Sequence, residues 1–136
     1  CKHGIRRMKQ RGGAIVNIGS GLSIKAQATS SAYCASKAAV LMTTCTAANA
    51  GGRYNIRVNA VLPGPVNTEM LMGNRIPVER QTENEFIEQL AGHSPLGRLA
   101  TAKDVAHAVL FLADPGNSII TGTYLPVDGG NLVFRD

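Results

Sequence analysis

The hydrophobic residues of the chain fall into three short apolar runs, separated by longer stretches with helical periodicity. The runs cover residues 14–18, 56–62 and 123–127, and valine, isoleucine and leucine are frequent in them. Glycine or proline follows closely behind each run, at Gly19, Pro63 and Gly129. Short apolar runs bounded by turn residues are typical of strands buried in a parallel sheet. We therefore predict three such strands.

Helical patterns precede the first run and fill the gaps between the runs. We predict the end of a helix over residues 1–9, helices over residues 32–49 and 79–91, and a fourth helix that runs to residue 113. Ser31 is the expected N-cap of the second helix, with Gly51 and Gly52 as its end, and Thr101 and Asp104 have capping-box spacing. Strands that alternate with helices form right-handed βαβ units around a parallel sheet. The predicted fold class is therefore α/β, in three layers.

The number of strands bears on the completeness of the predicted sheet. Three strands are few for a parallel sheet that helices cover on both faces, and the first strand has no predicted neighbour on one side. Such an unpaired edge favours aggregation. The sequence also begins at Cys1, in the middle of a helical pattern. We therefore expect residues 1–136 to be the C-terminal part of a single larger domain.

Composition narrows the class of protein further. The chain has 136 residues, of which 44% are hydrophobic and 17% charged, and this suits one small folded domain better than a disordered chain. No apolar run reaches the roughly 18 residues of a membrane-spanning helix, so we expect no membrane partner. The three cysteines, Cys1, Cys34 and Cys45, are too few and too scattered for a disulfide framework. We therefore expect a reducing, cytoplasmic location.

Charge is distributed unevenly along the chain. Residues 1–68 contain nine lysines and arginines and no carboxylate, whereas residues 69–136 contain five basic and nine acidic residues. A basic half attracts phosphates, whether of a dinucleotide or of a nucleic acid, but it can equally be a solvated surface. The sequence has neither zinc-ligand spacing nor an aromatic-rich nucleic-acid motif. We therefore expect no nucleic-acid partner and no metal site, and keep nucleic-acid binding as a rival hypothesis.

Three residues expected near the carboxyl edge of the sheet have the chemistry of a proton-transfer site. Ser20 follows the first strand, and Tyr33 and Lys37 share one helix face because they are four residues apart. A tyrosine that acts as a base near neutral pH must lower its pKa by roughly three units from about 10. An ammonium group about 4 Å away supplies roughly that much at an effective dielectric constant of about 20. Lys37 is therefore expected to make Tyr33 a general acid and base, with Ser20 holding the reacting oxygen.

These residues belong to motifs that resemble those of the short-chain dehydrogenase/reductase family. The similar segments are residues 15–20, 31–37, 55–64, 95–98, 104–113 and 121–130, which follow the family's order over nearly the whole chain. The resemblance implies a Rossmann-like fold. It also implies an oxidoreductase that interconverts an alcohol and a carbonyl by hydride transfer with NAD or NADP. The partners it implies are a small-molecule substrate and further copies of the same protein, in a homodimer or homotetramer.

The resemblance also implies a role for each site residue. Ser20 is expected to hydrogen-bond the substrate oxygen and Tyr33 to transfer the proton, while Lys37 lowers the pKa of Tyr33 and binds the hydroxyls of the nicotinamide ribose. A further segment is expected to contact the nicotinamide and the nearby phosphate, with the Val66 backbone on the carboxamide. The expected cofactor-binding residues are Tyr33, Lys37, Pro63, Gly64, Val66 and Thr68. In the variable substrate-covering region, substrate contact and plain helix packing are equal alternatives for Met70, Leu71 and Met72.

The chain departs from the family's pattern in several places. Members commonly have a glycine three residues after the catalytic serine, where this chain has Ser23. They often have a carboxylate late in the long helix, where residues 46–50 have none, and this weakens the expectation of a helix-pair dimer contact. The family's phosphate loop, cofactor selector and catalytic asparagine all precede the segment that this chain resembles. A non-catalytic relative that serves as a scaffold or binding subunit is therefore the alternative function.

Overall fold

The computed structural model describes residues 1–73 and 81–133, in which a parallel three-stranded sheet lies between helices. The strands are β1 (Gly13–Ile18), β2 (Ile56–Pro63) and β3 (Tyr124–Val127), in the order β1-β2-β3. The helices are α1 (Lys2–Met8), α2 (Ser31–Gly52), α3 (Glu69–Gly73), α4 (Glu83–Gly92) and α5 (Ala102–Ala113), and short 3₁₀ turns cover Gly21–Ser23 and Pro115–Asn117. The predicted α/β class and the three predicted strands are confirmed.

The central strand, β2, holds the core together on the side of α1 and α2. Its residues from Ile56 to Leu62 are all buried. Ile56 and Val58 form a cluster with Ala47 and Ala48 of α2, against which the apolar side chains of α1 also pack. Small alanines let α2 approach the strand closely, because they place little bulk between the helix and the sheet.

The opposite face of β2 is covered by α5. Arg57 points to this face and is buried, and its guanidinium donates hydrogen bonds to the carbonyl oxygens of Leu112, Ala113 and Asp114 at 2.7, 3.2 and 3.0 Å. A fourth bond, of 3.2 Å, goes to the carbonyl of Ile120. These carbonyls lie at the carboxyl end of α5, where unpaired acceptors and the helix dipole favour a cation. Helices therefore cover both faces of the sheet, in three layers.

The two outer strands are less buried than the sequence predicts. Within the described residues β1 pairs only with β2, and its side chains are half-buried at best. In β3, exposed and half-buried residues alternate. Burial is shared unequally because only the middle strand has neighbours on both sides. The predicted unpaired edge of β1 is therefore present among the residues described.

Several predicted helix boundaries need correction. The N-cap of α2 is Ser30 rather than Ser31, and it makes no side-chain capping bond. The same helix continues through Gly51 and Gly52, because Gly51 packs directly against Ile56 of the next strand. The helix predicted over residues 79–91 begins at Glu83, where Thr82 and Glu85 form a capping box. Residues 79 and 80 lie outside the described residues, and the sequence did not predict α3.

The capping box predicted for the last helix is confirmed, and an ion pair extends it. The Asp104 carboxylate accepts the Thr101 amide and hydroxyl protons, each over 2.8 Å, and Asp104 donates its own amide to the Thr101 hydroxyl at 3.2 Å. Arg98 adds a 2.9 Å salt bridge to the same carboxylate. Together, first the Arg98 hydrogen bond and then those from Thr101 hold the pKa of Asp104 well below its usual range.

Candidate active site

The site builds on the carboxyl edge of the sheet, where all three strands end side by side. The register pairs Ile18 with Val61, and Pro63 with Val127. Gly19 extends the first pairing by donating its amide to the Val61 carbonyl at 2.9 Å. The loops that follow the strands, which begin at Ser20, Gly64 and Asp128, therefore meet at one edge. Open parallel sheets bind ligands at this edge.

Ser20 is held in a tight turn at the end of β1. It is the N-cap of the 3₁₀ turn Gly21–Ser23, with an extended backbone. The Ser20 hydroxyl oxygen accepts a hydrogen bond of 3.1 Å from the amide of Leu22. The turn packs against α2 and against the end of β2, where the carbonyl oxygen of Pro63 would lie 3.7 Å from a Cβ atom at Gly21. Ser20 therefore lies between the other two parts of the predicted site.

Lys37 is one of the residues through which α2 contacts the end of β1. Its ammonium group donates a 3.2 Å hydrogen bond to the carbonyl oxygen of Ile18, two residues before Ser20. The same nitrogen lies 5.7 Å from the centre of the Tyr33 ring. The four-residue spacing thus puts the ammonium group beside the phenol ring, and the bond to Ile18 places that ammonium at the carboxyl end of β1.

Tyr33 presents its ring to solvent at this edge. Its side chain is 48% exposed, and its hydroxyl makes no hydrogen bond within residues 1–73 and 81–133. Nearly half of the residue is therefore open to solvent, at the edge where open parallel sheets bind ligands. The proton-transfer role of Tyr33 stays a prediction, as does the role of Ser20.

The predicted cofactor segment runs directly onward from β2. Gly64 donates its amide to the Val127 carbonyl at 3.1 Å, and a Cβ atom at Gly64 would lie only 2.7 Å from the Cβ of Asp128. Glycine is therefore needed for the close approach of the two loops. Beyond Pro63 and Gly64, Val66 forms a β-bridge with Ala100. The segment is thus fixed in place at the carboxyl edge.

The rest of the segment turns into α3. The Thr68 hydroxyl donates to the Val66 carbonyl at 3.3 Å, and the Thr68 carbonyl accepts the amides of Leu71 and Met72. Met70 is largely exposed, whereas Leu71 and Met72 are half-buried. Substrate contact by these three residues stays a prediction.

The sequence predicted no site role for two residues that the structure places at this edge. Ser23 was noted only as a departure from the family, yet its hydroxyl accepts the amide proton of Ser20. The sequence predicted no role for Asp128, yet its carboxylate accepts the amides of Gly130 and Leu132, each at 2.9 Å. The Asp-Gly-Gly sequence was the available signal for Asp128, because a short acidic side chain ahead of two glycines often closes a turn of this kind.

A basic groove lies away from this site, beside α1 and α2. The cavity, of about 390 Å³, is lined in part by four cations and a tyrosine, namely Lys2, Arg6, Lys9, Arg53 and Tyr54, and otherwise by neutral residues of α1 and α2 and by Cys1. Lys9 and Arg53 lie 4.8 and 5.0 Å from the centre of the Tyr54 ring. A hydrogen bond from Lys9, with the charge of Arg53, lowers the pKa of Tyr54. Part of the basic half of the sequence is therefore on the face opposite α5.

The part of the chain that the structure describes contains neither a group of metal-ligating side chains nor a membrane-spanning helix. There, no three histidine, cysteine or acidic side chains are grouped so that they could hold a metal ion. None of the helices among these residues is long and apolar enough to cross a membrane.

Comparisons with known proteins identify the family to which the chain is similar. The model of a family described as enoyl-(acyl carrier protein) reductase matches residues 1–131. Cis-4-hydroxycyclohexanecarboxylate dehydrogenase of Sinomonas cyclohexanicum is 42% identical to the chain over 130 residues, which are 95% of this chain and 49% of that protein. The chain spans about half the length of the curated relatives it matches.

Solved structures show the same fold. The structure of levodione reductase has a TM-score of 0.88 and 30% identity, over 96% of this chain and 51% of that one. ElxO with NADP bound has a TM-score of 0.84 and 34% identity, over 97% of this chain and 52% of that one. These neighbours place the chain in the class of Rossmann-like α/β proteins. Since the family match covers almost every residue, the chain belongs to the short-chain dehydrogenase/reductase family.

Proposed function

We propose that the chain is the catalytic half of an NAD(P)-dependent oxidoreductase that interconverts an alcohol and a carbonyl on a small molecule. The observation that carries the proposal is the 3.2 Å hydrogen bond from the Lys37 ammonium to the Ile18 carbonyl. This bond holds Lys37, and with it the neighbouring Tyr33, near the strand end that Ser20 follows. The family of the chain and the dehydrogenase and reductase names of its relatives support the same reaction class.

In this mechanism Ser20 and Tyr33 act on the substrate oxygen. The Ser20 hydroxyl already accepts the amide proton of Leu22, so its own proton is available to the carbonyl oxygen of the substrate. During reduction Tyr33 gives its phenolic proton to that oxygen as hydride reaches the carbon, and the phenolate then recovers a proton from solvent. During oxidation the steps run in reverse: Tyr33 first releases its proton to solvent, and the phenolate then takes the proton of the substrate hydroxyl as hydride leaves the carbon.

Lys37 is proposed to serve both the proton and the cofactor. Its ammonium nitrogen lies 5.7 Å from the centre of the Tyr33 ring, beside the group proposed to transfer the proton. An ammonium group has three N–H donors, and the Ile18 carbonyl takes one of them, so the others can reach the ribose hydroxyls of a nicotinamide nucleotide. When bound, the nicotinamide supplies or takes up the hydride.

The cofactor segment fits such a nucleotide in one specific respect. Gly64 and Asp128 lie so close together that a Cβ atom at Gly64 would meet the Cβ of Asp128 at 2.7 Å. The residues from Pro63 to Val66 are half-buried at this carboxyl edge, where open parallel sheets bind ligands. We propose Pro63, Gly64, Val66 and Thr68 as contacts of the nicotinamide end. The phosphate loop and the choice between NAD and NADP would then reside in the other half of the domain.

The test is the substitution Tyr33→Phe in the full-length protein, with Tyr124→Phe as its matched control. The two tyrosines are similarly exposed, at 48% and 45%, but Tyr124 lies in β3. Loss of the phenolic proton should lower kcat by about 10²- to 10⁴-fold, the usual contribution of general acid–base catalysis. Turnover is measured by nicotinamide absorbance with a panel of cyclic and linear ketones.

The outcomes separate the enzyme from the scaffold alternative. If the protein is the proposed enzyme, Tyr33→Phe should lose most of its kcat and Tyr124→Phe should keep full activity. The two variants and the unsubstituted protein should then have the same melting temperature. Equal turnover of Tyr33→Phe and the unsubstituted protein would refute the role of Tyr33. A protein that binds NAD(P)H but turns over none of the panel would instead support a scaffold or binding subunit.

A further inference from the structure

The turn after β1 contains a second serine that contacts Ser20 directly. Ser23 is only 9% exposed, and its hydroxyl oxygen accepts the backbone amide proton of Ser20 at 3.1 Å. In the opposite direction the Ser20 hydroxyl accepts the amide of Leu22 at 3.1 Å. Two reciprocal bonds thus close the turn, in the manner of a capping box.

These two bonds constrain different parts of Ser20. The bond to Ser23 fixes the backbone of Ser20, which is extended with φ −163° and ψ 157°. The bond from Leu22 uses a lone pair of the Ser20 hydroxyl and leaves its proton free to be donated. The direction of the Ser20 side chain therefore depends on the turn that Ser23 closes.

We propose that Ser23 is a positioning residue, which aims the Ser20 hydroxyl at the substrate oxygen. This inference depends on the proposed function, because it assigns Ser23 a task only if Ser20 contacts the substrate. Where the resemblance places a glycine, this chain has a buried hydroxyl within hydrogen-bond distance of the Ser20 amide. A glycine cannot form this bond, so the orientation of Ser20 in this chain relies on a side chain.

A purely structural role for Ser23 predicts a different pattern of effects. Ser23 also lies close to Gly19, so its loss could merely loosen the end of β1. A looser strand end would lower the melting temperature and would weaken the binding of cofactor and substrate alike. A positioning role instead lowers kcat and leaves cofactor affinity unchanged, because Lys37 and the Pro63–Thr68 segment do not use the bond.

The experiment compares Ser23→Ala and Ser23→Gly with the control Ser118→Ala in the full-length enzyme. Ser118 is exposed and lies beyond α5, remote in sequence from the turn. Loss of one hydrogen bond should lower kcat by about 3- to 10-fold in both Ser23 variants. The Kd for NAD(P)H, measured by nicotinamide fluorescence, should be unchanged, and Ser118→Ala should resemble the unsubstituted enzyme. Ser23→Gly keeps the test open if Ser23→Ala folds poorly, since the family's pattern has glycine there.

A double-mutant cycle of Ser20 and Ser23 distinguishes failure of the positioning role from failure of the proposed function. In a Ser20→Ala background, Ser23→Ala should cause no further loss of kcat, because there is no hydroxyl left to aim. An equal loss in both backgrounds, or a Ser23→Ala enzyme with unchanged kcat, would overturn the positioning role while the reaction itself stands. If Ser20→Ala retains full turnover, the proposed function fails at Ser20, and the inference about Ser23 fails with it.

Discussion

At the scale of single residues, Lys37 connects most parts of the proposed site. It bonds the Ile18 carbonyl, lies beside the Tyr33 ring, and is half-buried between the helix and the strand end. A lysine suits this position because its long stem can pack while three donors diverge from one charged nitrogen. Its removal therefore affects the backbone contact, the proton transfer and the cofactor together.

We predict that Lys37→Met in the full-length enzyme weakens NAD(P)H binding and lowers kcat, each by at least about tenfold. One charge-assisted hydrogen bond contributes roughly 1.5–3 kcal/mol, which corresponds to this factor or more. Fluorescence titration measures the Kd and steady-state kinetics the kcat. Lys25→Met is the control, because Lys25 is exposed in the loop before α2. An unchanged Kd in Lys37→Met would contradict the ribose contact.

Residues also differ in how readily a sequence predicts them. Tyr33 and Lys37 could be paired in advance because helical geometry alone puts residues four apart on one face. Ser23 and Gly64 could not, since their roles depend on partners that the folded turn and a separate strand bring near. The bond from Lys37 to Ile18 likewise joins residues 19 apart in sequence.

At the scale of elements, the most extensive side-chain contact is that of the buried Arg57 with the end of α5. Four carbonyl oxygens accept protons from its guanidinium, and three of them belong to the last two residues of the helix and to the residue directly after it. The neighbouring Asn59 makes a similar link, donating to the Ile120 carbonyl at 2.8 Å and accepting the Thr123 amide at 3.2 Å. Polar side chains of the central strand thus hold the connection between α5 and β3.

We predict that Arg57→Met lowers the free energy of unfolding by about 2–4 kcal/mol, because one buried and three partly buried hydrogen bonds to carbonyl oxygens lose their charged donor. Arg11→Met, at an exposed arginine in the turn before β1, should change it by less than about 0.5 kcal/mol. Urea unfolding followed by circular dichroism provides both values. Equal stability of the two variants would mean that water replaces the guanidinium at the end of α5 without cost.

Helix boundaries can be predicted from sequence only where neighbouring residues alone determine them. The capping box of α5 was predictable, because Thr101 and Asp104 are three residues apart and need no other partner. Gly51 and Gly52 were expected to end α2, since glycine disfavours helix. The helix includes them because Gly51 packs against Ile56, where a Cβ atom would lie 3.0 Å from the strand's carbonyl oxygen.

At the scale of the whole molecule, the sheet has one strand paired on both sides and two strands paired on one side among the described residues. The chain also spans about half the length of its curated relatives. We propose that the remaining half of the domain pairs with β1 and supplies the phosphate loop. The expected homodimer or homotetramer and the cytoplasmic location stay predictions.

We predict that the 136-residue chain alone does not bind NADH with useful affinity, because Lys37 and the Pro63–Thr68 segment would contact only the nicotinamide end of the dinucleotide. Nicotinamide fluorescence should stay constant as the chain is titrated, whereas the full-length protein should bind with a measurable Kd. Light scattering should also show self-association of the chain alone, through the unpaired edge of β1. Submillimolar NADH binding by this chain would contradict the division of the site.

The sequence by itself determined the α/β alternation, the three strands and the Tyr33–Lys37 pair, because each depends on spacing within one element or on the order of elements along the chain. Only the tertiary structure decided that β2 is the buried strand, that Arg57 binds the end of α5, and that Ser23 holds the backbone of Ser20. These features join residues whose proximity depends on chain folding and on hydrogen-bond geometry, which periodicity and motif spacing do not specify.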